Sequence, residues 1–261
     1  MGLQNKKVLY HYTSIKALYN IVESKKIWLS CPYFLNDKSE ILYGIDLIKN
    51  LLGQIELEAS VREKLKSAIS IFGMIHPIFV FSLSKHKNLL SQWRGYTNIN
   101  TGVCMGFSED NLRNRANENG IDLIECIYDQ DKQREKLKEI AKAISKNYSA
   151  GEGKNIYDRD ELIKLLCTIK NYQFHEEGEY RLVSKFFPNH SAPEIKHRTT
   201  DKYIIPYTEL DITDLEGSNF LFDEVIVGPC DNQNLSMESI SNFLSKTVAC
   251  RRITNSMLPL R

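Results

Sequence analysis

Apolar residues along the chain change spacing many times, and each change marks an element. Val8 to Tyr12 reads as a short strand. Ile15, Leu18 and Val22 then recur at helical spacing, with Thr13 or Ser14 placed to cap the helix by accepting from a free amide. Ile27 to Ser30 is a second short strand, and Cys31 to Lys38 a loop marked by Pro32 and Asn36-Asp37. A helix from about Ser39 past Leu52 and another from Glu56 to Phe72 follow. Pro77 to Ser84 is the clearest buried strand, an apolar run of β-formers.

Beyond it the pattern predicts a short helix over Asn88 to Arg94 and strands at Gly102 to Phe107 and Leu123 to Tyr128. Leu137, Ile140, Ala141, Ile144 and Tyr148 form one helical stripe, broken at Gly151-Glu152-Gly153 and resumed from Asp160 to Tyr172. Strands follow at Glu179 to Phe187, at Tyr203 to Tyr207 ending at Pro206, and at Asp223 to Val227 ending at Gly228-Pro229. Ser236 to Leu244 is a last helix and Val248 to Ile253 a last strand. Irregular alternation with several short strands predicts an α+β fold: a mixed, mostly antiparallel sheet with packed helices. Residues 1–261 are expected to form a single domain, with 131–172 a helical insertion on one face of the sheet.

Composition narrows this picture little. The 261 residues are 42% apolar and 26% charged, enough for a sizeable core. Lys and Arg number 34 against 33 Asp and Glu, which argues against a surface devoted wholly to nucleic acid but allows a local basic patch. The polar start is followed by no secretory apolar segment, and no run is long enough to span a bilayer, so no membrane partner is expected. Six scattered cysteines, none in a C-x-x-C pair, read as reduced thiols in a cytoplasmic protein and argue against a zinc site. No metal is predicted.

Four polar clusters carry the candidate chemistry. In Tyr10-His11-Tyr12-Thr13-Ser14 the imidazole stands at a strand end before a helix N-terminus, where a ribose hydroxyl or phosphate oxygen fits; the alternative is a half-buried histidine bonded to backbone. Phe34 to Glu40 contains Asn36 and Asp37, which either build an Asx-turn and cap the next helix or edge a pocket. A metal site from Asp37 and Glu40 lacks a third ligand. Trp93, Arg94 and Tyr96 either give a stacking surface with an anion clamp, or Trp93 is core and Arg94 a paired charge. In His175 to Val183, Glu179 and Arg181 share one strand face. They either pair, or Glu179 faces a cleft and steadies developing cationic charge.

In order along the chain, these segments resemble a mostly bacterial family, domain of unknown function 2971. Its Tyr-His-Tyr-Thr-like opening is matched by Tyr10 to Thr13, its Phe-x-Asn-Asp-x-x-Glu loop by Phe34, Asn36, Asp37 and Glu40, and its Trp-x-x-Tyr by Trp93 and Tyr96. Glu177, Glu179, Tyr180, Arg181 and Leu182 match its Glu-x-Glu-Tyr-Arg-Leu, and Val225, Ile226, Gly228 and Pro229 its Val-Ile-x-Gly-Pro.

A more distant resemblance is to ADP-ribosyltransferases, which carry a histidine on the first strand, an aromatic on the second and a glutamate on a late strand. It implies NAD as substrate. His11 would hold a ribose hydroxyl, Trp28 or Tyr43 would stack on nicotinamide, and Arg94 or Arg181 would hold pyrophosphate. Glu179 would support the ribose cation, and the acceptor would be protein, nucleic acid or water. The resemblance also brings toxin or phage-defence roles into view. Two alternatives stand beside it: a non-catalytic nucleotide- or nucleic-acid-binding sensor or adaptor in which Glu179 and Arg181 form a structural ion pair, and a metal-dependent nuclease using Asp37 and Glu40.

Overall fold

A computed structural model describes residues 7–34, 38–70, 77–97, 101–149, 156–187, 189–214, 219–220, 222–245 and 252–258. The architecture is α+β, as the pattern predicts. The chain opens with strand β1 (Val8–Thr13), helix α1 (Ile15–Ser24) and strand β2 (Lys26–Ser30). Ser14 caps α1, its hydroxyl accepting from the Ala17 amide at 3.1 Å. Leu18, Ile21 and Val22 give the helix its buried face, and Lys25 ends it in a left-handed conformation.

Helices α2 (Lys38–Gln54) and α3 (Ala59–Ser70) lead to β3 (Val80–Ser84), α4 (Leu90–Tyr96) and β4 (Val103–Ser108). Then come α5 (Glu109–Glu118), β5 (Asp122–Glu125), α6 (Gln130–Ser149), α7 (Ile156–Thr168) and β6 (Glu179–Val183). Strands β7 (Lys196–Thr199), β8 (Ile204–Asp211) and β9 (Phe222–Val227), helix α8 (Gln233–Ser245) and β10 (Arg252–Asn255) complete the described chain.

The strands join in one ten-stranded sheet ordered β10-β9-β4-β1-β3-β2-β8-β7, with β6 attached to β3 and β5 to β6. Every pairing is antiparallel except β9 with β10. β4 is buried at all six positions because it lies between β1 and β9. One core, including Leu9, Ile27, Phe79, Met105, Leu182 and Val225, fills one side of the sheet. A second gathers α2, α3, α6 and α7, with Ile48, Leu65, Leu137 and Leu166 among its members. The α6–α7 pair is inserted between β5 and β6, two strands that pair with each other. The side chains of Ile144 and Tyr148, and the break at Gly151, lie outside the described residues.

Sequence and structure differ at several edges. Helix α5 goes unpredicted because Leu112 and Ala116 are its main apolar contribution to the core, too short a stripe to read as a period. β7 is polar and largely exposed, an edge strand without alternation. β8 does not stop at Pro206 but runs on to Asp211. Pro206 sits opposite His197, near the edge of the sheet where a missing N–H is tolerated, and its carbonyl accepts from the Cys31 amide at 3.2 Å.

Two of the sequence motifs meet in a third cluster. Trp93 is buried, packs edge-on against Tyr12 with ring centroids 4.8 Å apart, and donates from its indole N–H to Asn88 Oδ1 at 2.8 Å. The indole lies across Gly228, where an added Cβ would stand 2.7 Å from Trp93 Cζ3. The ring is held on two sides and cannot retreat. Gly228→Ala is therefore expected to destabilise the fold by about 1–3 kcal/mol, the usual cost of overpacking. Chemical denaturation of the variant beside the parent checks it.

Candidate functional site

The site begins with the unusual position of β3. One edge of β3 pairs with β6 along its whole length, Val80 with Val183 through Ser84 with Glu179. Its other edge is shared: Tyr10 of β1 lies opposite Ser84, and Ser30 of β2 opposite Val80. Between these contacts β1 and β2 diverge. The backbone carbonyl of Ser82 falls in that gap and takes a side-chain donor instead of a ladder partner, His11 Nδ1 at 2.9 Å. The imidazole also stacks on Phe81, with centroids 4.1 Å apart.

That hydrogen bond fixes the tautomer. A carbonyl only accepts, so Nδ1 carries the proton and Nε2 is left as an acceptor. Burial pushes the His11 pKa down to about 4, with the Ser82 hydrogen bond opposing that shift. The ring is neutral at physiological pH. Nε2 has no hydrogen-bond partner among the described residues.

A cleft of about 40 Å³ opens here, lined by residues of β1, β3, α4 and the start of β6. His11, Ser82, Gln92, Tyr96, Glu177 and Glu179 supply its principal polar groups. Gln92 and Tyr96 stand four residues apart on α4 and so share a helix face. Tyr96 is 40% exposed, and its hydroxyl reaches to 3.5 Å from Glu177 Oε1.

Glu179 is buried and thoroughly engaged. Arg181 Nε donates to its Oε1 at 2.7 Å, and Arg181 Nη2 and Lys170 Nζ donate to Oε2 at 3.1 and 2.6 Å. Lys170, itself fully buried, also bonds Glu177. The second guanidinium arm, Arg181 Nη1, donates to the Cys167 carbonyl at 2.7 Å. Desolvation raises the Glu179 pKa, but Arg181 and Lys170 overcome it and hold the carboxyl down to about 2. Among the described residues the cluster joins two cations to two carboxylates. Oε1 accepts one hydrogen bond among the described residues, and a carboxylate oxygen offers two lone-pair directions.

The local fold holds these groups in place. Gly178 turns the chain into β6 in a left-handed conformation with φ 49°, under the side chain of Lys85. The Glu179 amide donates to Tyr128 Oη at 2.9 Å. The buried Gln133 amide donates to the carbonyls of Ile127 and Lys170, tying α6 to the segment carrying the lysine.

Of the residues singled out from sequence, His11, Tyr96 and Glu179 come together at the cleft. Arg181 stands behind Glu179 as its ion partner, so its guanidinium is already committed. Trp93 supports the cleft from below through Tyr12. Arg94 is exposed on α4 and does not line the cleft. Trp28 stacks on Tyr207 at 4.4 Å within the β2–β8 pair, and Tyr43 packs from α2 against the helical core; neither lines the cleft. Asn36 and Asp37 lie outside the described residues, as does the side chain of Glu40. Among the described residues no group of three or more His, Cys, Asp and Glu is arranged to hold a metal. No described helix is long and apolar enough to cross a membrane.

Sequence reasoning passed over Lys170, Gln92 and Ser82. Ser82 and Ser84, alternating in an otherwise apolar strand, were the one available signal. Ser84 is structural, donating to the Glu177 carbonyl at 2.6 Å.

A family model described as protein of unknown function (DUF2971) matches residues 92–182. The chain is therefore similar to that family from Gln92 on α4 to Leu182 on β6, a span that includes Trp93, Tyr96 and the Glu177 to Leu182 motif. His11 lies outside the matched span. No curated protein matches the sequence.

Proposed function

We propose that the cleft binds NAD and breaks its nicotinamide–ribose bond, passing ADP-ribose to a protein or nucleic-acid acceptor or to water. One observation carries this reading. His11 on β1 and Glu179 on β6, distant in sequence, face one cleft because β3 lies between their strands. His11 Nε2, neutral and accepting, takes a ribose hydroxyl. Tyr96, the aromatic of the cleft mouth, stacks on nicotinamide in preference to Trp28 or Tyr43. The C1′–N1 bond breaks with its electron pair leaving on the pyridinium nitrogen, so nicotinamide departs neutral and positive charge develops at C1′. Glu179, ionised throughout the physiological range, opposes that charge. The acceptor oxygen or nitrogen then bonds to C1′ and gives its proton to solvent. The enclosed space is small, so only an edge of the nicotinamide riboside enters and the rest of the dinucleotide lies over the mouth; Arg94, exposed on α4, is the remaining sequence candidate for the pyrophosphate.

Five described cysteines, Cys31, Cys104, Cys126, Cys167 and Cys230, are free thiols, which supports a reducing, cytoplasmic setting. A toxin or phage-defence role would suit such an activity.

A second reading is favoured by the ion pairs on Glu179: the cleft binds a nucleotide without cleaving it, and the carboxylate is structural. NAD labelled in its nicotinamide decides between them. Release above the rate of NAD alone supports cleavage. Saturable binding without release supports the binding module.

A further inference from the structure

Gln92 is a polar side chain with 7% of its surface exposed, and it lines the cleft. Among the described residues no hydrogen bond is made to its amide. A primary amide holds two donors and an acceptor, and on a side chain this buried it has few other groups to meet. Nothing about its place on α4 demands a polar residue: its neighbour Trp93 and the aromatic Tyr12 fill the cluster below. The amide is therefore there to meet something that enters the cleft. Its position four residues before Tyr96 puts it on the same helix face as the ring that would stack on a planar ligand.

We infer that Gln92 recognises a primary carboxamide, pairing its own N–H and C=O with those of the nicotinamide amide while Tyr96 covers the ring. This rests on the NAD reading and deepens it by naming the group that reads the leaving base. A glutamine amide and a carboxamide are mutually complementary, each offering one donor and one acceptor in a plane. An apolar side chain here would accept the ring but not distinguish its substituent. The role is recognition, so it falls on binding of any ligand carrying the amide, whether or not a bond is later broken.

The test is calorimetry with NAD and with the analogue in which a methyl ketone replaces the carboxamide. The analogue keeps the carbonyl acceptor and lacks the N–H donors. The unaltered chain is expected to bind NAD about tenfold more tightly than the analogue, the effect of one unmet buried partner. In Gln92→Met, which keeps the volume, the ratio falls to about one, and a melting curve confirms that the variant is folded. The analogue comparison in the unaltered chain stands without the variant. If NAD binds but the unaltered chain shows no preference, or Gln92→Met keeps the full preference, the inference is overturned while the NAD reading survives. If NAD does not bind at all, the NAD reading fails and takes this inference with it.

Discussion

If the proposed reaction holds, Glu179→Gln is expected to slow nicotinamide release by roughly two to three orders of magnitude, the scale on which removing one preorganised electrostatic stabiliser acts. The loss is expected in kcat and little in KM. In the proposed reaction the carboxylate acts as charge develops at C1′, after the ground-state contacts are already made. Glutamine keeps the shape and can still accept from Arg181 Nε at the position of Oε1, 2.7 Å away in the parent. It removes the charge. Because its pKa is held to about 2, Glu179 contributes no acid limb to the rate profile near neutrality. Single-turnover release, measured well below the variant's melting temperature, separates chemistry from stability. A variant that releases nicotinamide as fast as the parent would assign Glu179 to structure alone.

Lys170→Met gives the largest expected stability effect. The ammonium is fully buried, and it neutralises Glu179 and Glu177 together. Deleting one partner of a buried ionic cluster leaves the others uncompensated, and typically costs about 3–5 kcal/mol. For a chain of this size that lowers the melting temperature by about 10 °C. The same cluster sets an acid response. Glu179 is depressed from its ordinary value of 4.5 to about 2, so its contribution is fully present above pH 4.5 and is lost as pH falls towards 2. Without Lys170 the folded-state pKa moves back up and that acid-dependent part shrinks. Thermal melts from pH 7 to pH 3, parent against variant, check both effects. A shift of under 2 °C at pH 7 would show that Arg181 alone holds the carboxylate.

Both effects turn on residues that the sequence treats very differently. Glu179 stands out because it opens an alternating strand beside Arg181, and strand geometry puts the two on one face. Lys170 does not stand out. It follows α7 by two residues, and nothing local reveals that a fully buried ammonium reaches across to β6. That is a tertiary fact, made by the α6–α7 insertion between β5 and β6. His11 shows its structural reading directly: it bonds backbone at the strand end. Its ring also lines the cleft, which is what the proposed ribose contact needs.

The aromatics divide by burial, which spacing within one segment cannot supply. Trp93 belongs to the core beneath the cleft, and Tyr96, three residues on, belongs to its mouth. Trp28, a second-strand aromatic at the place the transferase pattern asks for, is drawn aside by its stack on Tyr207. The element order was legible almost throughout, since most strands are buried on at least one face and most helices carry a wide apolar stripe. α5 and β7 escaped because each owes its place to neighbours and carries little period of its own.

NAD binding itself is the most direct test, because it needs no knowledge of the acceptor. Calorimetric titration of NAD into the unaltered chain and His11→Ala compares the cleft-lining imidazole with its absence. The account expects saturable binding by the unaltered chain and about tenfold weaker binding by the variant, one hydrogen bond's worth. No heat with millimolar NAD, or equal affinity in the two proteins, would contradict it.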